Sequence, residues 1–234
     1  MKSGKMNLQE QHFLIDIDNT VTRYRKEASA SGATLFGNCF LPVVRDLMIR
    51  RGWEREAAEK ALFESVNNVL RWDYSELLRR FSIPWEEASG LMMLRHEEML
   101  DVYQDAVELI RRLKAAGAHL CIVSNNPYWG CRWKLLRAGL EPVWFEHIFS
   151  TDHTGGCKSL AYVWDFVIPR IGAPPERIST VGDDPKDDGV LPLSAGAGRA
   201  FILRRGKDEM SFPDSRMIPV ENALQIPDFF KEKE

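Results

Sequence analysis

The stretch Phe13-Leu14-Ile15-Asp16-Ile17-Asp18-Asn19-Thr20 constrains this chain more than any other. An apolar run delivers two carboxylates one residue apart, and a hydroxyl follows two positions later. A buried strand that ends this way places Asp16 and Asp18 at its tip, where open α/β sheets bind their ligands. Two acids at such a tip can hold a hard cation, attack an electrophile, or do both.

The later part of the chain supplies strands and helices in alternation. Ala106, Leu109, Ile110 and Leu113, with Val102 ahead of them, fall on one helical face, and Gly117 ends it. Residues 119–123 read as a buried strand that runs into Ser124 and Asn125. A helix is expected over 129–137, closed by Gly139, then a short strand within 144–150 and a helix over 160–168. Residues 178–181 form a strand entering Gly182-Asp183-Asp184, a helix covers 188–195, and 200–203 form another strand. Residues 224–230 pack the tail onto the sheet. Strand and helix in alternation imply a doubly wound parallel sheet, a Rossmann-like α/β core. All C-terminal strand ends of a parallel sheet share one edge, so Asp16/Asp18, Ser124/Asn125 and Asp183/Asp184 are expected to converge.

Residues 23–100 differ. Helical spacing groups Val43, Val44, Leu47 and Met48, then Ala57, Ala58, Ala61, Leu62, Val66 and Leu70, then Leu77, Leu78 and Phe81. A last group, after Pro84, holds Leu91, Met92 and Leu94. This block reads as a helical cap domain inserted in a core made of 1–22 and 101–234.

Composition removes several function classes. Net charge is -3 with both signs interspersed, which gives no basic face for nucleic acid. No apolar run reaches the ~20 residues that cross a bilayer, so no membrane partner is expected. Residues 1–11 are polar and lack the apolar core of a signal peptide, which makes a cytoplasmic location the expectation. Cys39, Cys121, Cys131 and Cys157 are scattered and form no CxxC pair.

The chain resembles the haloacid dehalogenase-like superfamily, in the branch with a helical cap between its first and second motifs. Four separated signals carry the resemblance: Asp16-Ile17-Asp18-Asn19-Thr20-Val21, Ser124-Asn125, Lys158, and Gly182-Asp183 through Asp188 with Ala195-Gly196 downstream. By resemblance, Asp16 is a nucleophile that forms an aspartyl-phosphate, and Asp18 is a general acid and base. Lys158 balances charge. Thr20 supports the first loop and, with Ser124 and Asn125, belongs to the phosphate-binding set. Mg²⁺ is the implied cofactor, held by Asp16, the main-chain carbonyl of Asp18, Asp183 and, through water, Asp188. Asp187 exchanges roles with Asp188 if the register differs by one, and Asp184 is an additional acid on the loop. The family often has Pro after the lysine, where Ser159 stands here.

The resemblance implies a Mg²⁺-dependent phosphatase of small phosphorylated metabolites, a sugar phosphate or nucleotide-like ester. A phosphomutase uses the same two acids, and a non-catalytic binding protein could reuse the scaffold. A phosphonate-cleaving variant would need a Schiff-base lysine such as Lys60. The substrate and the oligomeric state are not legible.

Overall fold

The computed structural model describes residues 8–25, 40–68, 74–206 and 212–231. Cys39 and Leu70, considered above, lie outside these residues. The chain divides into two compact units, Met1–Arg23 with Val102–Glu234, and Tyr24–Asp101.

The first unit is built on a six-stranded sheet. In chain order its strands are β1 (His12–Ile15), β4 (His119–Val123), β5 (His147–Phe149), β6 (Ile178–Gly182), β7 (Arg199–Leu203) and β8 (Met217–Val220). Their spatial order is β5-β4-β1-β6-β7-β8, and every pairing is parallel. The chain winds from β1 outward through β4 and β5, then crosses to β6, β7 and β8. The order therefore reverses at β1 and β6, the kind of switch point where the ends of two strands open a crevice. β2 (Thr22–Tyr24) and β3 (Leu100–Val102) pair separately as a short ribbon.

Side-chain alternation splits the core between the two faces of the sheet. Phe13, Ile15, Leu120, Ile122, Phe201 and Leu203 face one layer with Ala106, Leu109, Ile110 and Leu113. Leu14, Cys121, Val123, Ala200 and Ile202 face the other, against Val163, Trp164, Val167 and Ile168.

In the second unit the helices are α1 (Leu41–Arg50), α2 (Arg55–Val66), α3 (Tyr74–Arg80) and α4 (Trp85–Met99). Val43, Val44, Leu47, Met48, Ala58, Leu62, Leu77, Leu78 and Met92 are buried there, while Leu94 is exposed. Asp46 joins α1 to α4 by accepting from Arg95 at 3.0 Å, and it also accepts from its neighbour Arg45 at 3.0 Å. Lys60 is exposed on α2.

In the first unit α5 (Gln104–Ala115) ends at Gly117, whose φ of 78° suits glycine. α6 (Tyr128–Arg137) follows β4, then the short α7 (Thr151–Thr154), α8 (Ala161–Ile171) and the short α9 (Leu191–Ser194).

Several expectations shift. Val102 belongs to β3, not to the helix after it, because Tyr103 is extended and donates its amide to the Val21 carbonyl at 2.9 Å. The helix expected over 188–195 starts earlier, as a π-helical turn over Pro185–Val190, and α9 completes it. The strand within 144–150 is limited to β5, preceded by a 3₁₀ turn over Pro142–Trp144. β8 is not anticipated at all. Pro219 argues against a central strand, and β8 lies at the sheet edge, where proline is tolerated. Among the described residues no helix is long and apolar enough to cross a membrane.

Candidate active site

The ends of β1, β4 and β6 build the site. The amide of Asp16 donates to the Val181 carbonyl at 2.9 Å, which carries the β1–β6 pairing one residue beyond the strand. The chain then turns tightly. Asn19 has φ of 58°, a conformation asparagine tolerates, and its amide donates to the Thr22 carbonyl at 2.6 Å. The amides of Val21 and Thr22 both donate to the Ile17 carbonyl. The turn leaves Asp16 buried and Asp18 partly exposed.

Lys158 is buried and bridges two carboxylates. Its Nζ donates to Asp16 Oδ1 at 2.5 Å and to Asp188 Oδ1 at 2.6 Å. Both main-chain groups of Lys158 are also engaged. The amide donates to Asn125 Oδ1 at 2.7 Å, and the carbonyl accepts from Trp164 Nε1 at 3.1 Å. The lysine is thereby held from β4's exit loop and from α8. Burial would lower its pKa, yet Asp16 and Asp188 outweigh that and raise it, so Lys158 is a fixed cation. Burial raises the pKa of Asp16 to about 7; Lys158 opposes the rise, and Asp188 and Asp18 add to it. Burial likewise raises Asp188. The pocket holds more negative charge than one ammonium neutralises.

Asp183 and Asp188 complete this cluster. One carboxylate oxygen from each of Asp16, Asp183 and Asp188 lies within 4.8 Å of the others. Gly182 makes the arrangement possible, since a Cβ there would stand 2.1 Å from the carboxyl of Asp188. The π-helical turn orients the loop. Asp184 accepts from the amides of Lys186 and Asp187, each at 2.8 Å, and donates its own amide to Asp188 Oδ2 at 3.1 Å. Asp184 is thus a capping residue. Asp188 faces Lys158, whereas Asp187 is partly exposed and bonded to Asn125. An all-carboxylate cluster of this kind suits a hard divalent cation.

Asp18 has two partners that the sequence reading missed. Lys134 Nζ pairs with its Oδ1, and Asn126 Nδ2 donates to its Oδ2 at 2.5 Å. Lys134 also donates to Asn126 Oδ1 at 2.9 Å, which closes a ring of three side chains. Asn126 donates further to Ser124 Oγ at 2.7 Å. Lys134 is fully buried at 0% exposure. The signal for it was its position on α6, three residues from Cys131 and next to Leu135, both fully buried. A lysine inside an apolar stripe needs a partner, because an unpaired buried ammonium is costly.

A family model described as haloacid dehalogenase-like hydrolase matches residues 11–190, which include every residue of this cluster. The chain belongs to the haloacid dehalogenase-like hydrolase family. Solved structures agree on the fold. A haloacid dehalogenase-like phosphatase from Thermococcus onnurineus is 24% identical, with a TM-score of 0.64, over 94% of this chain and 97% of that one. A candidate hydrolase of the family, YfnB from Bacillus subtilis, solved with magnesium, is 16% identical with a TM-score of 0.57, over 95% and 99%. A 2-haloacid dehalogenase from Pseudomonas syringae is 15% identical with a TM-score of 0.56, over 93% and 96%. At these identities the likeness is one of fold. No functionally curated protein matches the sequence.

Within this hydrolase fold, one residue of the phosphate-binding set does not sit as expected. Thr20 is fully buried, its carbonyl accepts from Arg205 Nη2 at 3.0 Å, and its Oγ1 has no partner. It lies under the loop and presents nothing to a ligand. The side-chain oxygen of Asn125 ties β4's exit to Lys158 and so fixes that strand tip. Ser124 is buried at the same rim, its Oγ accepting from Asn126.

Proposed function

We propose that this hydrolase is a Mg²⁺-dependent phosphatase of small phosphate esters, such as sugar phosphates or nucleotide-like metabolites. The observation that carries the reading is Asp18, a second acid two residues from Asp16, held by two donors of its own. Displacing a halide needs no proton donor. Expelling an alkoxide from a phosphate ester does, so a positioned second acid favours phosphoryl transfer.

In this reading Asp16 attacks phosphorus and the ester oxygen leaves with a proton from Asp18. Asp18 then takes a proton from water as that water attacks the aspartyl-phosphate, which frees inorganic phosphate and regenerates Asp16. Both oxygens of Asp18 accept hydrogen bonds here, the arrangement suited to the second, base step. Lys158 holds positive charge beside Asp16 throughout, and Asp188 keeps that ammonium in place.

Asp16, Asp183 and Asp188 are the residues that would hold Mg²⁺, and their crowded carboxylates fit such an ion. The ion's chemistry when bound is neutralisation: it favours ionised Asp16 and offsets the charge of the phosphoryl oxygens. The inserted helical unit supplies substrate selection.

The test is phosphate release from a panel of sugar phosphates and nucleoside monophosphates, with Mg²⁺ and with EDTA. Turnover with Mg²⁺ that EDTA abolishes supports the reading. Isomerised hexose phosphate without free phosphate would make the protein a mutase. No turnover on any ester, with chloride release from a 2-chloro acid instead, would make it a dehalogenase.

A further inference from the structure

A second cluster of ligand-type side chains lies at the opposite ends of the same strands. His12 opens β1, His119 opens β4, and the parallel register pairs them directly. Their rings are stacked, with centroids 4.2 Å apart and planes 9° from parallel. Glu146, just before β5, donates its amide to the Leu120 carbonyl at 2.8 Å. Its Oε1 stands 2.5 Å from His119 Nδ1. One donor atom from each of the three residues lies within 4.8 Å of the others. His12 Nδ1 is buried and has no hydrogen-bond partner. A buried ring nitrogen left without a partner costs stability, unless something outside the chain completes it.

We propose that His12, His119 and Glu146 form a second metal site, for a borderline divalent transition metal such as Zn²⁺, separate from the carboxylate cluster. Two imidazoles and one carboxylate are a ligand set that Zn²⁺ accepts at about 2.0–2.2 Å and that Mg²⁺, which selects oxygen, does not. A shared tetrahedral ion sets its donors about 3.3 Å apart, so His119 Nδ1 and Glu146 Oε1, now 2.5 Å apart, must separate while His12 turns towards them. The imidazole χ2 torsions are soft, and their rotation turns the two stacked rings towards a common point. The ion then takes the place of the proton between His119 and Glu146. Arg177, which also lies near His12, is paired with Glu10 at 3.0 Å.

The site stands about four residues before Asp16 on β1, roughly 13 Å at the rise of a parallel strand. An ion there does not reach the phosphoryl group. It cross-links β1, β4 and the lead-in to β5, and so stabilises the folded unit by linkage.

The test is titration of the full chain with Co²⁺ and then Zn²⁺ in saturating Mg²⁺. The proposal expects one equivalent of Co²⁺ with the intense visible bands of four-coordinate cobalt, displaced by Zn²⁺, and a Zn²⁺-dependent rise in Tm. His12→Gln and His119→Gln should each weaken Zn²⁺ binding at least ~10-fold, while Asp183→Asn leaves it unchanged. Ring-proton NMR of the wild-type chain gives a reading that needs no variant: Zn²⁺ should move the resonances of His12 and His119 and not those of His153. Zn²⁺ binding that is lost in Asp183→Asn, or kept in both histidine variants, would overturn the proposal. So would ring resonances of His12 and His119 that Zn²⁺ leaves in place.

Discussion

The ammonium of Lys134 rests on Oδ1 of Asp18, a pairing made across 116 residues of sequence. Lys134 comes up from the buried face of α6, and its side chain is 1% exposed against 42% for Asp18. The charge is therefore anchored in the core while its partner reaches solvent. Asn126 bonds both residues and leaves the Asp18 carboxylate one orientation.

Removing that anchor should harm chemistry more than folding. Lys134→Met keeps most of the volume and strips the charge, so no large cavity opens. General acid–base catalysis is worth roughly 10²–10⁴-fold, and loss of the positioning partner should lower kcat by about 10²-fold. KM should change little. Steady-state kinetics with Mg²⁺ checks this. A kcat within twofold of wild type would mean Lys134 serves packing alone.

Gly182→Ala should disable the metal cluster. The added Cβ would stand 2.1 Å from the Asp188 carboxyl, so Asp188 must move and its bond to Lys158 is lost. Overpacking of this kind costs about 1–3 kcal/mol. The Mg²⁺ concentration for half-maximal activity should rise about 10-fold or more. A Mg²⁺ titration superimposable on wild type would contradict the assignment of Asp188.

Neighbouring acids should separate sharply. Asp188→Asn removes a buried partner of Lys158 and should cost activity about 10²-fold or more. Asp187→Asn touches a partly exposed carboxyl bonded to Asn125 and should cost less than about 10-fold. Parallel kinetics on the two variants decides the register, and the reverse ranking would exchange their roles.

Beneath the first loop, Arg205 Nη1 reaches both oxygens of Asp105 at 2.7 Å while Nη2 holds the Thr20 carbonyl. The Ala223 amide also donates to Asp105, at 2.8 Å. Burial would raise the pKa of Asp105, but the Arg205 hydrogen bonds, the Ala223 amide and the charge of Arg205 outweigh it and lower the value. A carboxyl depressed in the folded state gives stability that is complete above its unfolded pKa and is lost as pH falls through the folded one. Asp105→Asn should therefore destabilise at neutral pH, by about 1.5–3 kcal/mol. The difference from wild type should shrink below about pH 4. Denaturant unfolding at neutral and acidic pH checks this, and a pH-independent difference would refute it.

Much of this architecture was legible because its signals are local. Each chemistry-bearing loop follows a short apolar run, so Asp16, Ser124 and Asp183 could be placed on one sheet edge from strand polarity alone. Gly117 marked the end of α5, where φ of 78° suits glycine. What stayed hidden depends on contacts across the fold. Lys134 is an ordinary helix residue until Asp18 is placed above it. Thr20 joins the phosphate-binding set by resemblance, and only the folded chain shows it buried, its carbonyl held by Arg205 from just beyond β7. Spacing favours Asp188 over Asp187 by one residue of register, and the π-helical turn started by Asp184 is what turns Asp188 to Lys158. The second cluster was hidden for the same reason: His12 and His119 meet only through the strand register.

The central claim is that Asp16 takes the phosphoryl group. Rapid acid quench of the enzyme turning over its best ester with Mg²⁺, followed by mass spectrometry of the peptide carrying residues 12–22, tests it most directly. The account predicts a phosphoryl adduct on Asp16 that forms and decays within turnover and is absent from Asp16→Asn. Phosphate release at full rate with Asp16 unmodified, or an adduct on any other residue, would contradict it.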